Sequence, residues 1–474
     1  MSSTFDHSQY LSPFSYRYGS HEMRAVWSEM HKRRLWRQFW VALARAQHTA
    51  GLVREDQVAD LVAHMDQVDV AASEAVEARI HHDLMAEIEV YASQCPVGGG
   101  IIHLGATSAD IEDNADVVRI RESLDIVLPR LTRLLHLFAD QIDRRADTAI
   151  MAFTHLQPAE PTTLGFRLAL YAQDLLDDWQ TLRRLRAGLK AKGFRGAVGT
   201  SASYAELLAG ASMDADEMER VVLAQFNLTA YPVTSQTYPR KQDWQLMCGL
   251  AGLAGSLYKF AFDLRLLQSP AVGEWGEPFA RSQVGSSAMP FKRNPINAEK
   301  LNSLGRLIAS MTRVAWDNAA HALLERTLDD SANRREILPT AFLAVDEMLL
   351  VTERLVEGLQ VDEAAARRNL ERFGTFAAVE RLLMASAKAG ADRQQMHEHL
   401  REQSMAAWTG VAEGRANPLV ENLSNSSILN QYLTPERIRA LLDASGYLGA
   451  APKRAREFAG FIRDALNQSA VKDE

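Results

Sequence analysis

Residues 285–295 read Gly285-Ser286-Ser287-Ala288-Met289-Pro290-Phe291-Lys292-Arg293-Asn294-Pro295. Two hydroxyls sit on a run of small residues, two cations follow, and Asn-Pro opens a long helix. Asparagine is a good N-cap, and proline suits the first helical position because no backbone N–H is needed there. Free N–H groups and the helix dipole at such an end favour an anion. Lys292 and Arg293 add mobile positive charge beside it. Hydroxyls next to an anion site point to proton transfer on a carboxylate-bearing substrate. The competing reading of the same residues is a surface loop with a solvated basic pair.

Outward from this loop the pattern is helical almost throughout. Only 15 prolines and 27 glycines punctuate 474 residues, and they cluster. Residues 22–50 read as an amphipathic, aromatic-rich helix with Trp27, Trp36 and Trp40, and residues 55–95 as shorter helices. Pro96-Val97-Gly98-Gly99-Gly100 is a break. Long helices are predicted over 111–146, 158–190, 240–267, 296–323 and 338–359. In the first, Val117, Ile120, Leu124, Val127, Leu131, Leu134 and Phe138 recur at helical spacing, and Pro129 predicts a kink. Five such segments argue for an all-α chain built on an extended bundle, with the stripes as its core. Several helices look apolar around much of their circumference, which predicts cover from a second bundle and hence an oligomer. Val361-Asp362-Glu363 and Gly374 punctuate the change to a third region of shorter helices, and the tail Val471-Lys472-Asp473-Glu474 should fray. The expected regions are 1–109, 110–361 and 362–474.

The composition is that of a globular protein, 47% hydrophobic and 24% charged. A net charge of −8 argues against a general nucleic-acid binder, so an anionic ligand must be attracted locally. Two distant cysteines, Cys95 and Cys248, make no disulfide framework and no CxxC pair, which fits a reducing cytoplasm. Met1 to Tyr10 is polar, so no secretory leader is expected, and no uncharged apolar run reaches membrane-spanning length.

Three loops share one plan, each placing His, Thr, Ser or Lys just before a long helix. They are His103-Leu104-Gly105-Ala106-Thr107-Ser108 before a helix near Asp110, Thr154-His155-Leu156-Gln157-Pro158 before a helix from Pro158, and the 286–295 loop. If these ends meet, several N–H clusters converge on one cavity suited to a multiply charged anion. In Glu325–Arg335, Arg326, Ser331 and Arg335 suit a phosphate through their guanidinium forks, while a surface ion-pair run with Asp329 and Asp330 is the alternative. Arg79-Ile80-His81-His82-Asp83 lacks the i, i+4 spacing of a helical zinc site, so proton relay or ligand binding is expected there rather than metal.

Together these motifs resemble the fumarase/aspartase superfamily, in the form carried by its adenylosuccinate lyase family. Supporting segments are Ser15-Tyr16-Arg17-Tyr18, His82-Asp83, His103–Ser108, Thr154–Pro158, Ser235-Gln236-Thr237-Tyr238 and Arg326–Arg335. The resemblance implies a fumarase/aspartase-like three-domain fold whose central long helices form a 20-helix core in a homotetramer, with each active site shared between subunits. It implies fumarate-releasing cleavage of a C–N bond in a small nucleotide substrate of purine biosynthesis, with neither cofactor nor metal. By the family pattern Ser286 is the base, Ser287 its supporting neighbour and His155 the acid. Thr107, Ser108, Gln236, Lys292 and Asn294 hold the succinyl portion. Arg17, Tyr18, Arg326, Ser331 and Arg335 hold the nucleotide. His82 binds substrate or supports His155, His81, Asp83 and Lys300 are further substrate-binding positions, and Glu299 pairs with or orients Lys292. Two positions depart from the pattern: His81, where relatives often carry arginine, and Lys300, which keeps the charge but loses a guanidinium fork. Another lyase of the superfamily, or a non-catalytic helical scaffold, is the alternative.

Overall fold

A computed structural model describes residues 8–470. Most of the polar Met1–Tyr10 segment and the whole 471–474 tail therefore lie outside the described residues. The chain begins with α1 (His21–Val26), α2 (Glu29–Thr49), α3 (Glu55–His64), α4 (Val70–Ile80) and α5 (Asp83–Gln94). The long α6 (Ser108–Arg144) leads into a hairpin of β1 (Ala149–Thr154) and β2 (Gln157–Thr163), then α7 (Leu164–Ala187). Two short helices, α8 (Ala202–Leu207) and α9 (Ala215–Ala224), precede α10 (Lys241–Leu267). After β3 (Trp275–Gly276) come α11 (Ile296–Ala320), α12 (Ser331–Glu357), and β4 (Gln360–Val361), which pairs with β3. The rest is α13 (Glu363–Lys388), α14 (Arg393–Ala412), α15 (Leu419–Ser424), α16 (Pro435–Leu442) and α17 (Ala451–Ala470). Helix starts follow cap chemistry. Ser28, Asp69, Asp362, Asp392 and Thr434 each accept a first-turn backbone N–H with a side-chain oxygen.

The all-α expectation holds, with one hairpin and one short pairing of distant strands added. Every member of the Val117–Phe138 stripe is fully buried, which removes roughly 1.5–3 kcal/mol of apolar exposure per side chain. Several boundaries differ. The 22–50 helix is two helices, because Ser28 caps a new start. α6 runs unbroken through Pro129. α12 begins at Ser331, seven residues before the predicted 338, and passes through Pro339. Proline there forfeits only the bond to the Arg335 carbonyl. Gly374 is not a break: it lies inside the 26-residue α13, where an added Cβ would stand 2.7 Å from the Ala444 Cβ.

The helix predicted from Pro158 is corrected more deeply. Residues 157–163 form β2, and α7 starts at Leu164. Pro158 and Pro161 explain the change, since proline in a helix interior clashes with the preceding turn and also pushes the residue before it toward extended geometry.

The chain divides into two compact units. One comprises residues 1–131, 177–255 and 303–350, the other 132–176, 256–302 and 351–474. The first unit has a core of α2 residues Trp36, Phe39 and Trp40 with Tyr91, Ile111, Phe194 and Tyr204. Within it, Arg37 and Arg33 of α2 bond the buried Glu87 of α5 at 2.7 and 3.2 Å, locking these two helices together. The second unit packs Met151 of β1 among Leu382, Leu400, Leu423 and Ile438.

Candidate functional site

The first unit contains a cavity walled by α2, the start of α5, the first turns of α6, Arg240, and the 326–339 segment. Asp83, Arg326, Ser331 and Arg335, four of the residues singled out by sequence, face it together. Arg335 donates to Asp83 at 2.6 Å across 252 residues of chain. Burial opposes ionisation of Asp83, but the Arg335 guanidinium, the Leu84 N–H and Lys32 together outweigh it and hold the carboxyl below its usual range. Arg326 donates to Asp330 at 2.9 Å. The ion pair with Asp330 expected on an open surface is therefore present, but in the cavity wall.

Beneath these lies a layer that the sequence reading missed. The Arg240 fork grips Asp113 through two 3.0 Å bonds and reaches Asp330 at 2.6 Å. Arg334 donates to Asp243 and to the Tyr238 hydroxyl at 2.8 Å each. Arg240 and Arg334 are buried and committed, whereas the Arg326 and Arg335 side chains are 25% and 55% exposed. The two outer guanidiniums are the ones able to exchange a carboxylate partner for a ligand.

Around this wall, His82 caps α5, its Nδ1 accepting from the Met85 N–H at 3.4 Å. His81 is exposed in left-handed backbone at the end of α4. Thr107 and Ser108 start α6, and Asp110 reaches back to accept the Thr107 N–H. Buried Asp110 also takes Lys192, the Arg195 and Gly196 N–H groups and the Tyr204 hydroxyl, so it fixes this loop. His103 is neutral: burial pushes its pKa down to about 4, and Trp40 Nε1 donates to its Nδ1 at 3.1 Å. The Gln236 N–H bonds the Glu325 carbonyl at 3.2 Å. Arg17 is exposed and lies 5.9 Å from the Tyr18 ring; neither lines the cavity.

The second unit carries the acid and base candidates. His155 and Leu156 form the two-residue tip of the β1–β2 hairpin, with φ of 53° and 61°. A type I′ turn needs positive φ at both central positions, which favours Asn-Gly; here a histidine and a leucine hold it, and both are exposed. Such strain is characteristic of functional sites.

The 286–295 loop closes on itself. The Asn294 amide donates to the Gly285 carbonyl at 3.0 Å, and a Cβ on Gly285 would stand 2.2 Å from the Lys292 carbonyl. Ser286 Oγ accepts the Met289 and Ala288 N–H groups at 3.1 and 3.4 Å, whereas Ser287 is exposed. The free anion-binding helix end expected at Pro295 is corrected: buried Glu277 already accepts the Ala298 and Asn297 N–H groups at 2.6 and 3.2 Å. Gln268 bonds the Glu277 N–H and the Arg293 carbonyl, tying both stems of the loop. Lys292 is exposed, Lys300 lies on the second turn of α11, and the ion-pair partner seen for Glu299 is Arg265 at 3.8 Å rather than Lys292.

Asp60, His64 and Cys95 hold their ligand atoms within 4.8 Å of one another. The Asp60 carboxylate already takes the Val97 and Gly98 N–H groups at 2.8 Å, and burial, with Asp60 beside it, pushes the Cys95 thiol up to about 11. This grouping folds a loop. No described helix is long and apolar enough to cross a membrane.

Comparison with known proteins agrees with the motifs. A lyase family model matches residues 16–309, and a model of the adenylosuccinate lyase C-terminus matches residues 375–458. Adenylosuccinate lyase of Schizosaccharomyces pombe is 36% identical over 96% of this chain and 94% of its own length, and that of Saccharomyces cerevisiae matches equally. The Pyrococcus abyssi adenylosuccinate lyase is 34% identical over 96% of this chain and 98% of its own. Among solved structures, 3-carboxy-cis,cis-muconate lactonizing enzyme from Pseudomonas putida superposes with a TM-score of 0.83 at 27% identity, covering 95% of this chain and 99% of that one. A fumarate lyase from Mesorhizobium sp. BNC1 shares the fold at TM-score 0.83, 24% identity and the same coverage. With full-length relatives above 30% identity and both family models matched, the chain belongs to the adenylosuccinate lyase family.

Proposed function

We propose that this chain eliminates fumarate from adenylosuccinate to give AMP, and from succinyl-aminoimidazole-carboxamide ribotide to give the carboxamide ribotide, in purine nucleotide biosynthesis. The observation that carries this reading is the cavity in which Arg326, Ser331 and Arg335 stand together beside Asp83. A phosphate matches the guanidinium forks and displaces the carboxylates that occupy them in the free protein.

The chemistry needs a base, an acid and an anion cradle. Ser286 removes the proton from the carbon beside a substrate carboxylate. The electron pair moves into that carboxylate, giving an aci-carboxylate dianion. Collapse expels the nitrogen, which takes a proton from the His155 imidazole. A serine is a weak base in water. The two N–H groups aimed at Ser286 Oγ stabilise its alkoxide, which favours Ser286 over Ser287. Thr107, Ser108, Gln236, Lys292 and Asn294 hold the succinyl part and its developing charge. Arg17 and Tyr18 complete the nucleotide side, with His81, His82, Lys300 and Glu299 in support. The working enzyme is a cytoplasmic homotetramer of three-domain subunits, with active sites built from several chains.

Purified protein given adenylosuccinate should release fumarate and AMP. Correctly assembled protein without turnover indicates a scaffold. Fumarate release only from a different succinyl compound indicates another lyase of the superfamily.

A further inference from the structure

Among the described residues, the cavity holds one carboxyl with no cationic side chain bound to it. Glu29 is taken by Lys32, Asp113 by Arg240, Asp116 by Arg119 and Arg334, and Asp83 by Arg335. Glu112, on the second turn of α6, lines the same cavity, and its carboxyl has no hydrogen-bond partner among the described residues. Arg335 is the cation that acts on it most strongly. We propose that Glu112 positions the nucleotide by taking up a proton as the phosphate binds, so that a neutral carboxyl faces the bound anion. This rests on Arg326, Ser331 and Arg335 being the phosphate side of the site.

The charges around Glu112 come from every wall. Glu29 and Lys32 face the cavity from α2, Asp83 from the start of α5, and Asp113, Asp116 and Arg119 from α6 itself. Arg240, Arg326, Arg334 and Arg335 complete the set. In the free protein, burial together with Asp83 and Asp113 already raises the Glu112 carboxyl to about 7, with Arg335 opposing. A dianionic phosphate adds negative charge beside Glu112 and draws away Arg335, which favours its ionised form. Both effects raise its proton affinity, so binding and protonation are linked.

The test is calorimetric titration of AMP at pH 8 in two buffers of different ionisation enthalpy. A free phosphate, with its second pKa about 6, is already dianionic there, so any uptake belongs to the protein. The wild-type chain should take up most of one proton, and its AMP affinity should fall by up to about tenfold per pH unit above 7. Glu112→Gln should lose the uptake and flatten that profile, while Glu112→Asp should keep a pH-dependent affinity. Equal uptake in wild type and Glu112→Gln overturns the proposal, as does no uptake in a wild type that Arg335→Ala weakens. Unchanged AMP affinity in Arg335→Ala instead removes the phosphate site, and the linkage with it.

Discussion

At the scale of single residues, the acid and base candidates sit where packing does least for them. His155 is exposed at a strained hairpin tip, and Ser286 lies in a loop that bonds mainly to itself. His155→Ala and Ser286→Ala should each lower turnover by about 10²–10⁴-fold with little change in thermal midpoint. Activity retained in Ser286→Ala moves the base elsewhere. Arg335→Ala should raise KM by roughly 10–100-fold, the equivalent of about 1.5–3 kcal/mol for a charge-assisted bond. An unchanged KM removes its phosphate role. Glu112 also has a stability signature. Its folded carboxyl lies above the ordinary value of 4.5, so the fold disfavours its ionised form. The penalty is absent below about 4.5, grows toward 7 and is complete above it. Glu112→Gln should therefore stabilise the protein at pH 8 by on the order of 1–3 kcal/mol and much less at pH 5, read from denaturant midpoints. Equal shifts at both pH values refute this. These residue types were legible in the sequence, since each is identified by a neighbour a few positions away. Glu112 was not, because nothing local distinguishes a cavity-facing glutamate from a solvated one.

Among the secondary-structure elements, the long helices follow from periodicity and caps, while the pieces that present chemistry follow from contacts. The 158–163 segment looks like the start of a helix until the effect of two prolines is weighed against partnership with β1. Likewise Asn294-Pro295 marks the start of α11 to within a residue, but the Asn294 amide bonds the Gly285 carbonyl instead of capping the helix, and only the fold places Glu277 on its free N–H groups. Glu277→Ala should leave those groups uncapped, costing about 1–2 kcal/mol, and should loosen the stem of the 286–295 loop. Limited proteolysis should then cut near 281–293 faster than in wild type, with kcat reduced more than KM. Unaltered cleavage and kcat would mean the loop is held by other contacts.

For the molecule as a whole, a net charge of −8 must coexist with a polyanionic substrate. The solution offered is local: cations concentrated in one wall, with the buried ones neutralised by Asp113, Asp243 and Asp330 and the outer ones replaceable. Outward-facing Leu170, Phe262 and Trp316, 54%, 53% and 42% exposed on the long helices, support cover by further copies. If active sites are shared, mixing His155→Ala with Ser286→Ala protein under subunit exchange should restore part of the activity neither has alone. Proven exchange without recovery counts against shared sites.

Short-range physics made part of this protein readable in one dimension. Helical spacing of Val117 to Phe138, capping residues and the Gly285–Pro295 loop depend on neighbours within a turn or two, so they are written in the chain and lead to the family. Other features required three dimensions. Arg335 meets Asp83 across 252 positions, Glu277 occupies the helix end that seemed reserved for a ligand, and Glu112 gains its unusual proton affinity from burial among other carboxylates. Charge pairing and desolvation depend on distance in space and on exclusion of water, and neither is a property of sequence spacing.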